Sequence, residues 1–228
     1  MLRFTLFGFP IFVQPFFWIA MAILGNLNYP PTDGSQLNLS GIVIFTAAGF
    51  LSILIHELGH AFSMRKHGGR NIQIQLHGMG GLAAYEPDPA RPITRWKQIT
   101  ISAAGPIYQI IAGLLALLVL YLYFKYVGES VELVLALEPF ITISLIWGVL
   151  NLFIPIFPLD GGQILNGLLG PKNIKITLGI GLGICVALAI LIVLYHNPLN
   201  LLIIAILASQ NIRMLKALID RAKQARQE

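Results

Sequence analysis

The feature that most constrains this chain is the run HELGH at residues 56–60, which lies inside a hydrophobic segment from Leu39 to about Phe62. Ionisable side chains at membrane depth are costly, so they are rarely kept there without a function. Two histidines four residues apart share one face of a helix, where both imidazoles can reach one zinc ion. The segment therefore predicts a membrane-spanning helix that carries a catalytic zinc site.

Composition indicates that the rest of the chain is also membrane-embedded. The 228 residues are 56% hydrophobic and 11% charged, and the mean hydropathy is +0.76. We predict an all-α polytopic membrane protein, with one intramembrane domain over residues 1–228 and a first span that is retained rather than cleaved as a signal peptide. The predicted spans are about 9–27, 39–62, 99–124, 135–157, 176–195 and 199–215.

The connection between the second and third spans is expected to form a short membrane-associated β-hairpin over about 70–86. Residues 71–76 alternate polar and apolar side chains, and a glycine-rich turn follows them at 78–81. Alternation of this kind is typical of a half-exposed strand. Two interpretations remain open, because the hairpin is either an ordinary cytoplasmic loop or an edge that binds an extended substrate by strand addition.

The basic residues predict the orientation in the membrane. All of the 15 Lys and Arg residues except Lys125 fall at the two termini or on the second and fourth connections. These segments share one membrane side, so both termini are expected to be cytoplasmic in a multi-pass protein of the cell membrane. The same rule explains the net charge of +5. The expected partner of the basic residues is therefore the lipid bilayer and not nucleic acid.

Catalytic zinc usually has three protein ligands and one water. His56 and His60 supply two ligands, and Glu57 is placed to act as general base toward a water activated by the metal. The other histidines of the chain fit poorly as a third ligand, and they are His67, His77 and His196. Asp160, at the end of the predicted fourth span and on the same predicted membrane face as His60, is the remaining candidate.

HELGH in one span, with NLFIPIFPLDGG at residues 151–162 in a later one, resembles the site-2 protease family of intramembrane zinc metalloproteases. The run SAAGP at 102–106 is similar to a further family element, and no PDZ or CBS domain fits in this length. The resemblance implies one zinc ion per chain. The implied site residues are His56, His60 and Asp160 as ligands, Glu57 as general base and Asn151 as a group that polarises the scissile carbonyl or stabilises its oxyanion. Gln109 and Gln163 stand near or at positions where the family often has Asn and Arg.

The resemblance also implies a function, regulated intramembrane proteolysis near the cytoplasmic face. Its substrates would be single-span or membrane-anchored proteins, such as anti-sigma factors or membrane-tethered regulators. Regulation is then either absent or supplied by a membrane partner. One alternative is a zinc protease of another type in protein quality control, with a Glu or His third ligand. The other is a metal-dependent, non-proteolytic membrane protein. In such a protein Glu138 is the remaining acidic residue within the bundle that could contact the metal ion.

Overall fold

The computed structural model describes residues 1–31, 37–90, 94–194 and 198–224. Its strands are β1 (Leu2–Leu6), β2 (Phe9–Val13), β3 (Arg70–His77) and β4 (Gly80–Glu86). Its helices are α1 (Pro15–Asn28), α2 (Leu39–Lys66), α3 (Arg95–Tyr126), α4 (Val131–Phe153), α5 (Asp160–Leu169), α6 (Ile174–Leu194) and α7 (Pro198–Gln224). The predicted end of the fifth span at Tyr195, and His196 after it, lie outside the described residues.

Within the described ranges, five helices are long and apolar enough to cross a membrane, and they are α2, α3, α4, α6 and α7. The prediction of a mostly helical polytopic membrane protein is confirmed. The predicted first span over 9–27, however, differs from the structure. Residues 9–13 form a strand, and α1 has 14 residues, or about 21 Å against a hydrocarbon core of about 30 Å. Pro15 begins this helix, and Tyr29 before Pro30 ends it, since a residue before proline is disfavoured in the α conformation.

The described chain divides into two compact units. The first contains Met1–Ile93 and Ala104–Leu150, and the second contains Thr94–Ala103 and Asn151–Glu228. Helices α3 and α4 each continue from one unit into the other. This division does not test the single intramembrane domain expected over residues 1–228, which stays a prediction.

The first unit contains a four-stranded sheet in the order β1-β2-β3-β4. The predicted hairpin is present as β3 and β4, while β1 and β2 form a second hairpin that the sequence analysis missed. The central strands β2 and β3 run parallel, with Ile11 opposite Ile74 and Val13 opposite Leu76, and these four side chains are fully buried. A parallel pair needs a long crossover connection, which α1 and α2 provide.

Helix α2 contacts α1, α4, β3 and β4, so it is the central element of the first unit. It begins after Asn38, whose side chain accepts a hydrogen bond of 3.0 Å from the Gly41 amide. This N-cap satisfies one of the amides that have no partner within the helix. The helix ends before His67 and Gly68, and the φ of +89° at Gly68 is a left-handed conformation that glycine adopts without strain.

Besides Thr94–Ala103, the second unit contains the last turn of α4, residues 154–159 and helices α5, α6 and α7. Helix α6 contacts both α5 and α7. The predicted fourth span extends to Phe157, but the helix ends at Phe153. Pro155 and Pro158 follow, and proline has no backbone N–H and disfavours a helical residue before it. The expectation that Asp160 ends the fourth span is therefore wrong. Asp160 instead begins the separate helix α5.

Candidate metal centre

His56 and His60 lie one turn apart on α2 and are both buried. Their Nε2 atoms are 3.0 Å apart, and their rings meet edge to face. Two nitrogen ligands of a tetrahedral zinc ion, each about 2.0–2.1 Å from the metal, lie about 3.3 Å apart. The two imidazoles therefore fit a shared zinc ion with only a small change in ring orientation.

The second nitrogen of His56 has a defined partner on α3. Nδ1 lies 2.9 Å from Oε1 of Gln109, whose side chain is buried. An amide oxygen only accepts, so Nδ1 carries the hydrogen and donates it, and the lone pair of His56 is on Nε2. In the sequence, Gln109 stands out only as a departure from the family pattern, and this contact is missed. The available signal was a polar residue in an otherwise apolar span.

Glu57 is buried, with 4% of its surface exposed, and its side chain lies against strand β4. A Cβ atom added at Gly81 of β4 would lie only 2.6 Å from Cδ of Glu57. Helix α2 also contacts both strands of the β3–β4 hairpin. The candidate general base is thus positioned directly beside the hairpin.

The turn that carries His60 packs against the backbone of α3. A Cβ at Gly59 would lie 2.6 Å from the carbonyl oxygen of Ala104 and 3.0 Å from Cα of Gly105. A Cβ at Gly105 would overlap the His60 imidazole. Small residues let two helix backbones approach closely. The SAAGP element of the sequence therefore forms a close helix contact that limits the position of the His60 ring.

Asp160 and Asn151 are paired in the second unit. The Asn151 amide nitrogen donates to Oδ2 of Asp160 at 2.8 Å, and the backbone N–H of Asp160 donates to the Asn151 side-chain oxygen at 3.2 Å. Asp160 is buried, with 5% exposed. This two-point contact fixes both the backbone and the carboxylate of Asp160 relative to the end of α4.

The glycines after Asp160 allow the first turn of α5 to pack against the preceding loop. A Cβ at Gly161 would lie 2.8 Å from the carbonyl carbon of Ile154, and one at Gly162 would lie 2.7 Å from that of Ile156. The loop is also held by Asn211 of α7, which is fully buried and whose amide donates to the Phe157 carbonyl at 2.6 Å. Asn211 falls in the predicted last span, and the sequence gives no indication of this contact.

The remaining predicted histidines have other surroundings. His67 caps the end of α2, and Nδ1 of His77 accepts a hydrogen bond of 3.2 Å from the Met79 amide within the hairpin turn. His196 lies outside the described residues. Among the residues described, the buried candidates for a metal ligand are His56, His60 and Asp160.

The described residues contain five membrane-capable helices, and one of them carries a buried HExxH pair. This combination is typical of metallopeptidases embedded in a membrane. Sequence comparison agrees with this class, because residues 44–136 match the sequence profile of Peptidase family M50. The matched segment contains most of α2, then β3, β4, all of α3 and the start of α4, and it ends before Asn151 and Asp160.

The relatives with similar sequences agree with this family. A zinc metalloprotease of Methanocaldococcus jannaschii is 33% identical over 165 residues, which cover 70% of this chain and 44% of the relative. A candidate zinc metalloprotease of Synechocystis is 29% identical over 175 residues, which cover 72% of this chain and 42% of the relative. The chain thus spans less than half the length of both of these relatives.

A solved structure shows the same fold. The structure of the site-2 protease from Methanocaldococcus jannaschii superposes with a TM-score of 0.63 and covers 94% of both chains, at 24% sequence identity. This likeness extends well beyond the segment matched by the family profile. The fold resemblance expected from the two sequence motifs is confirmed.

Proposed function

We propose that this protein is a zinc metalloendopeptidase that hydrolyses peptide bonds within or next to the bilayer. The observation that carries the proposal is the pair of buried Nε2 atoms of His56 and His60, 3.0 Å apart on a membrane-capable helix, with Glu57 between them in the sequence. The family and the names of the two relatives support zinc as the metal and proteolysis as the reaction.

The proposed ligand set is His56, His60 and Asp160. Two imidazoles and one carboxylate are ligands that zinc accepts in catalytic sites. All three side chains are buried, and Asp160 is held by Asn151 in a fixed orientation. When bound, zinc supplies Lewis acidity that polarises the scissile carbonyl and lowers the pKa of a water towards about 7.

Glu57 is proposed to accept the proton of the attacking water and to deliver it to the leaving amide nitrogen. General bases act on groups within hydrogen-bond reach, so the carboxylate must lie where the substrate backbone is held. Its position against Gly81 places it next to β4, which is an edge strand in the described part of the sheet.

The edge of β4 is therefore the proposed binding site for the substrate backbone. A helical substrate hides its carbonyl groups in internal hydrogen bonds, so it must be extended before it can be cleaved. Addition of an extended segment to β4 would satisfy its backbone groups and present its carbonyls beside Glu57. This favours strand addition over the interpretation of the hairpin as an ordinary loop.

We propose a positioning role for Asn151. Its amide nitrogen donates to the carboxylate of Asp160, and its oxygen accepts from the backbone of the same residue. The role expected from the family resemblance, stabilisation of the oxyanion, would use the second hydrogen of the same amide. That role stays a prediction.

The proposed biological reaction is regulated intramembrane proteolysis of single-span or membrane-anchored proteins. Anti-sigma factors and membrane-tethered regulators are the substrate classes that the family resemblance supports, with cleavage near the cytoplasmic face and both termini cytoplasmic. A membrane partner is the proposed source of regulation. The alternative of a metal-dependent, non-proteolytic membrane protein loses support, because Glu138 is engaged by the hydroxyls of Tyr29 and Thr142.

The test is zinc content and cleavage of a tagged single-span substrate panel, measured on detergent-purified protein. We expect Glu57→Gln to retain one zinc per chain and to lower cleavage by at least 100-fold, since it removes the base and keeps the shape. We expect Asp160→Ala to weaken zinc binding. Full activity of Glu57→Gln would exclude the general-base role, and full zinc binding by Asp160→Ala would favour the quality-control type of protease with another third ligand.

A further inference from the structure

A continuous row of buried hydrogen bonds leads from His56 across three helices of the first unit. His56 donates from Nδ1 to Oε1 of Gln109, and Nε2 of Gln109 donates to Oγ of Ser52 at 2.9 Å. The Ser52 hydroxyl lies 2.8 Å from the hydroxyl of Ser144. Ser52, Gln109 and Ser144 are 0%, 4% and 0% exposed.

The local geometry brings these side chains together by regular helical spacing. Ser52 lies four residues before His56, so both are on the same face of α2. Gln109 lies four residues before Gly113 on α3, and a Cβ at Gly113 would lie 2.9 Å from Cβ of Ser144. The absence of a side chain at Gly113 thus lets α3 and α4 approach closely at Ser144.

Ser144 lies in an unusual part of α4. Residues Ile143–Trp147 form a π-helical turn within an otherwise α-helical span. A π turn adds one residue to the helical repeat and changes the direction of the side chains around it, and such turns are frequent at functional sites. Here the turn contains the buried hydroxyl that ends the row.

Gln109 determines which atoms donate and which accept along this row of hydrogen bonds. An amide has one acceptor group and one donor group, and its nitrogen is directed at Ser52. Its oxygen is therefore directed at His56, which requires the hydrogen of the neutral imidazole to be on Nδ1. A ligand histidine is commonly held in this way by a partner on the nitrogen that does not bind metal, and removal of that partner typically lowers metal affinity 10- to 100-fold.

We propose that Gln109 is a positioning residue that fixes His56 as an Nε2 zinc ligand, and that Ser52 and Ser144 hold Gln109 in the required orientation. The inference rests on the proposed zinc site. It adds a function to three residues outside the ligand set, and it assigns the π turn of α4 a role in metal binding.

The test measures zinc dissociation constants by chelator competition, together with the visible absorption spectrum of the cobalt-substituted protein, which reports ligand geometry. Gln109→Met keeps the length of the side chain but removes both hydrogen bonds. We expect its dissociation constant for zinc to rise 10- to 100-fold and its cobalt spectrum to change. Gln109→Glu, which still accepts from Nδ1, should bind zinc within about threefold of wild type or more tightly.

Ser52→Ala and Ser144→Ala test the supporting part of the row, with an expected rise of about three- to tenfold. Thr46→Val is the matched control, because Thr46 is also on α2 and its buried hydroxyl has no hydrogen-bond partner among the described residues. It should bind zinc as wild type does. An equal loss of affinity in Thr46→Val would assign the effect to helix packing and overturn the proposal.

His56→Ala separates the two levels of inference. If His56→Ala binds zinc as tightly as wild type, the proposed ligand set is wrong. If His56→Ala loses zinc while Gln109→Met retains wild-type affinity, only the positioning role is wrong. Should Gln109→Met fail to fold, wild-type zinc affinity in both serine variants would overturn the proposal, and a rise in both dissociation constants would support it.

Discussion

Gly81 of β4 lies so close to Glu57 of α2 that a single added methyl group would overlap the carboxylate. The close contact explains why this strand has glycine at that position, although glycine is unfavourable in strands. Gly81 is also paired with Leu76, a fully buried residue of the neighbouring strand β3. The position of the candidate base is therefore coupled to the sheet and not only to its own helix.

Substitution Gly81→Ala is expected to displace Glu57 without removing a metal ligand. We expect cleavage to fall by about 10- to 100-fold, since misplacement of a catalytic group by about 1 Å is costly. Zinc content should stay at one per chain. The measurement is zinc content beside cleavage of a single-span substrate.

Gly183→Ala is the matched control for this change, because a Cβ at Gly183 meets no atom of the described residues within 4 Å. It should retain both zinc and activity. Wild-type cleavage by Gly81→Ala would show that Glu57 tolerates the displacement or does not act as the base.

Substitution Gly105→Ala should act in the opposite way, by weakening zinc binding rather than by displacing Glu57. The added methyl group would overlap the imidazole of His60, so the ring must leave its present position beside His56. We expect zinc affinity to fall by at least tenfold, with activity recovering in part when zinc is supplied in excess. Titration of activity with zinc measures both effects. If Gly105→Ala shows wild-type affinity but low activity, the contact between α2 and α3 affects the substrate site rather than the metal.

The local part of the site was predictable from the sequence. The four-residue spacing of His56 and His60 determines that both lie on one helix face, and the alternation at 71–76 determined the hairpin. Both signals depend on neighbouring residues alone. Two prolines before Asp160 and two glycines after it likewise marked this segment, although its exact helical boundaries were missed.

The missed features depend on contacts between distant segments. Residues 9–13 are apolar enough for a membrane span, but pairing with residues 74–76 of β3 makes them a strand. Gln109 and Ser52 are 57 residues apart and carry no shared motif. Asn211 lies within the predicted last span, yet its side chain satisfies a loop carbonyl that the prolines leave outside any helix. Hydropathy alone cannot identify such partners.

Substitution Asn151→Leu tests the positioning of Asp160. The side chain keeps a similar volume but loses the hydrogen bonds of 2.8 Å to the carboxylate and 3.2 Å to the backbone N–H. We expect about a tenfold loss of zinc affinity, and a further loss of turnover at saturating zinc if Asn151 also contacts the oxyanion. Zinc titration of turnover separates these two contributions. Unchanged zinc affinity would show that Asp160 is held without Asn151, or is not a ligand.

The edge of β4 provides the final prediction. Adjacent residues of an antiparallel strand direct their N–H groups to opposite sides, so one of Ala83 and Ala84 points its N–H toward β3 and the other points outward. Proline at the outward position removes a donor that an added substrate strand needs and leaves the β3–β4 hydrogen bonds intact. Proline at the inward position breaks one of those bonds and should lower the melting temperature.

We expect the more stable of Ala83→Pro and Ala84→Pro to retain zinc and to lose at least tenfold in kcat/KM on a single-span substrate. The loss should arise mainly in KM, because the removed hydrogen bond contributes to binding of the extended segment rather than to the chemical step. Melting curves assign the two positions, and cleavage kinetics with varied substrate give the two constants. If the stable variant cleaves as wild type does, the substrate does not add to β4, and the hairpin serves only to position Glu57.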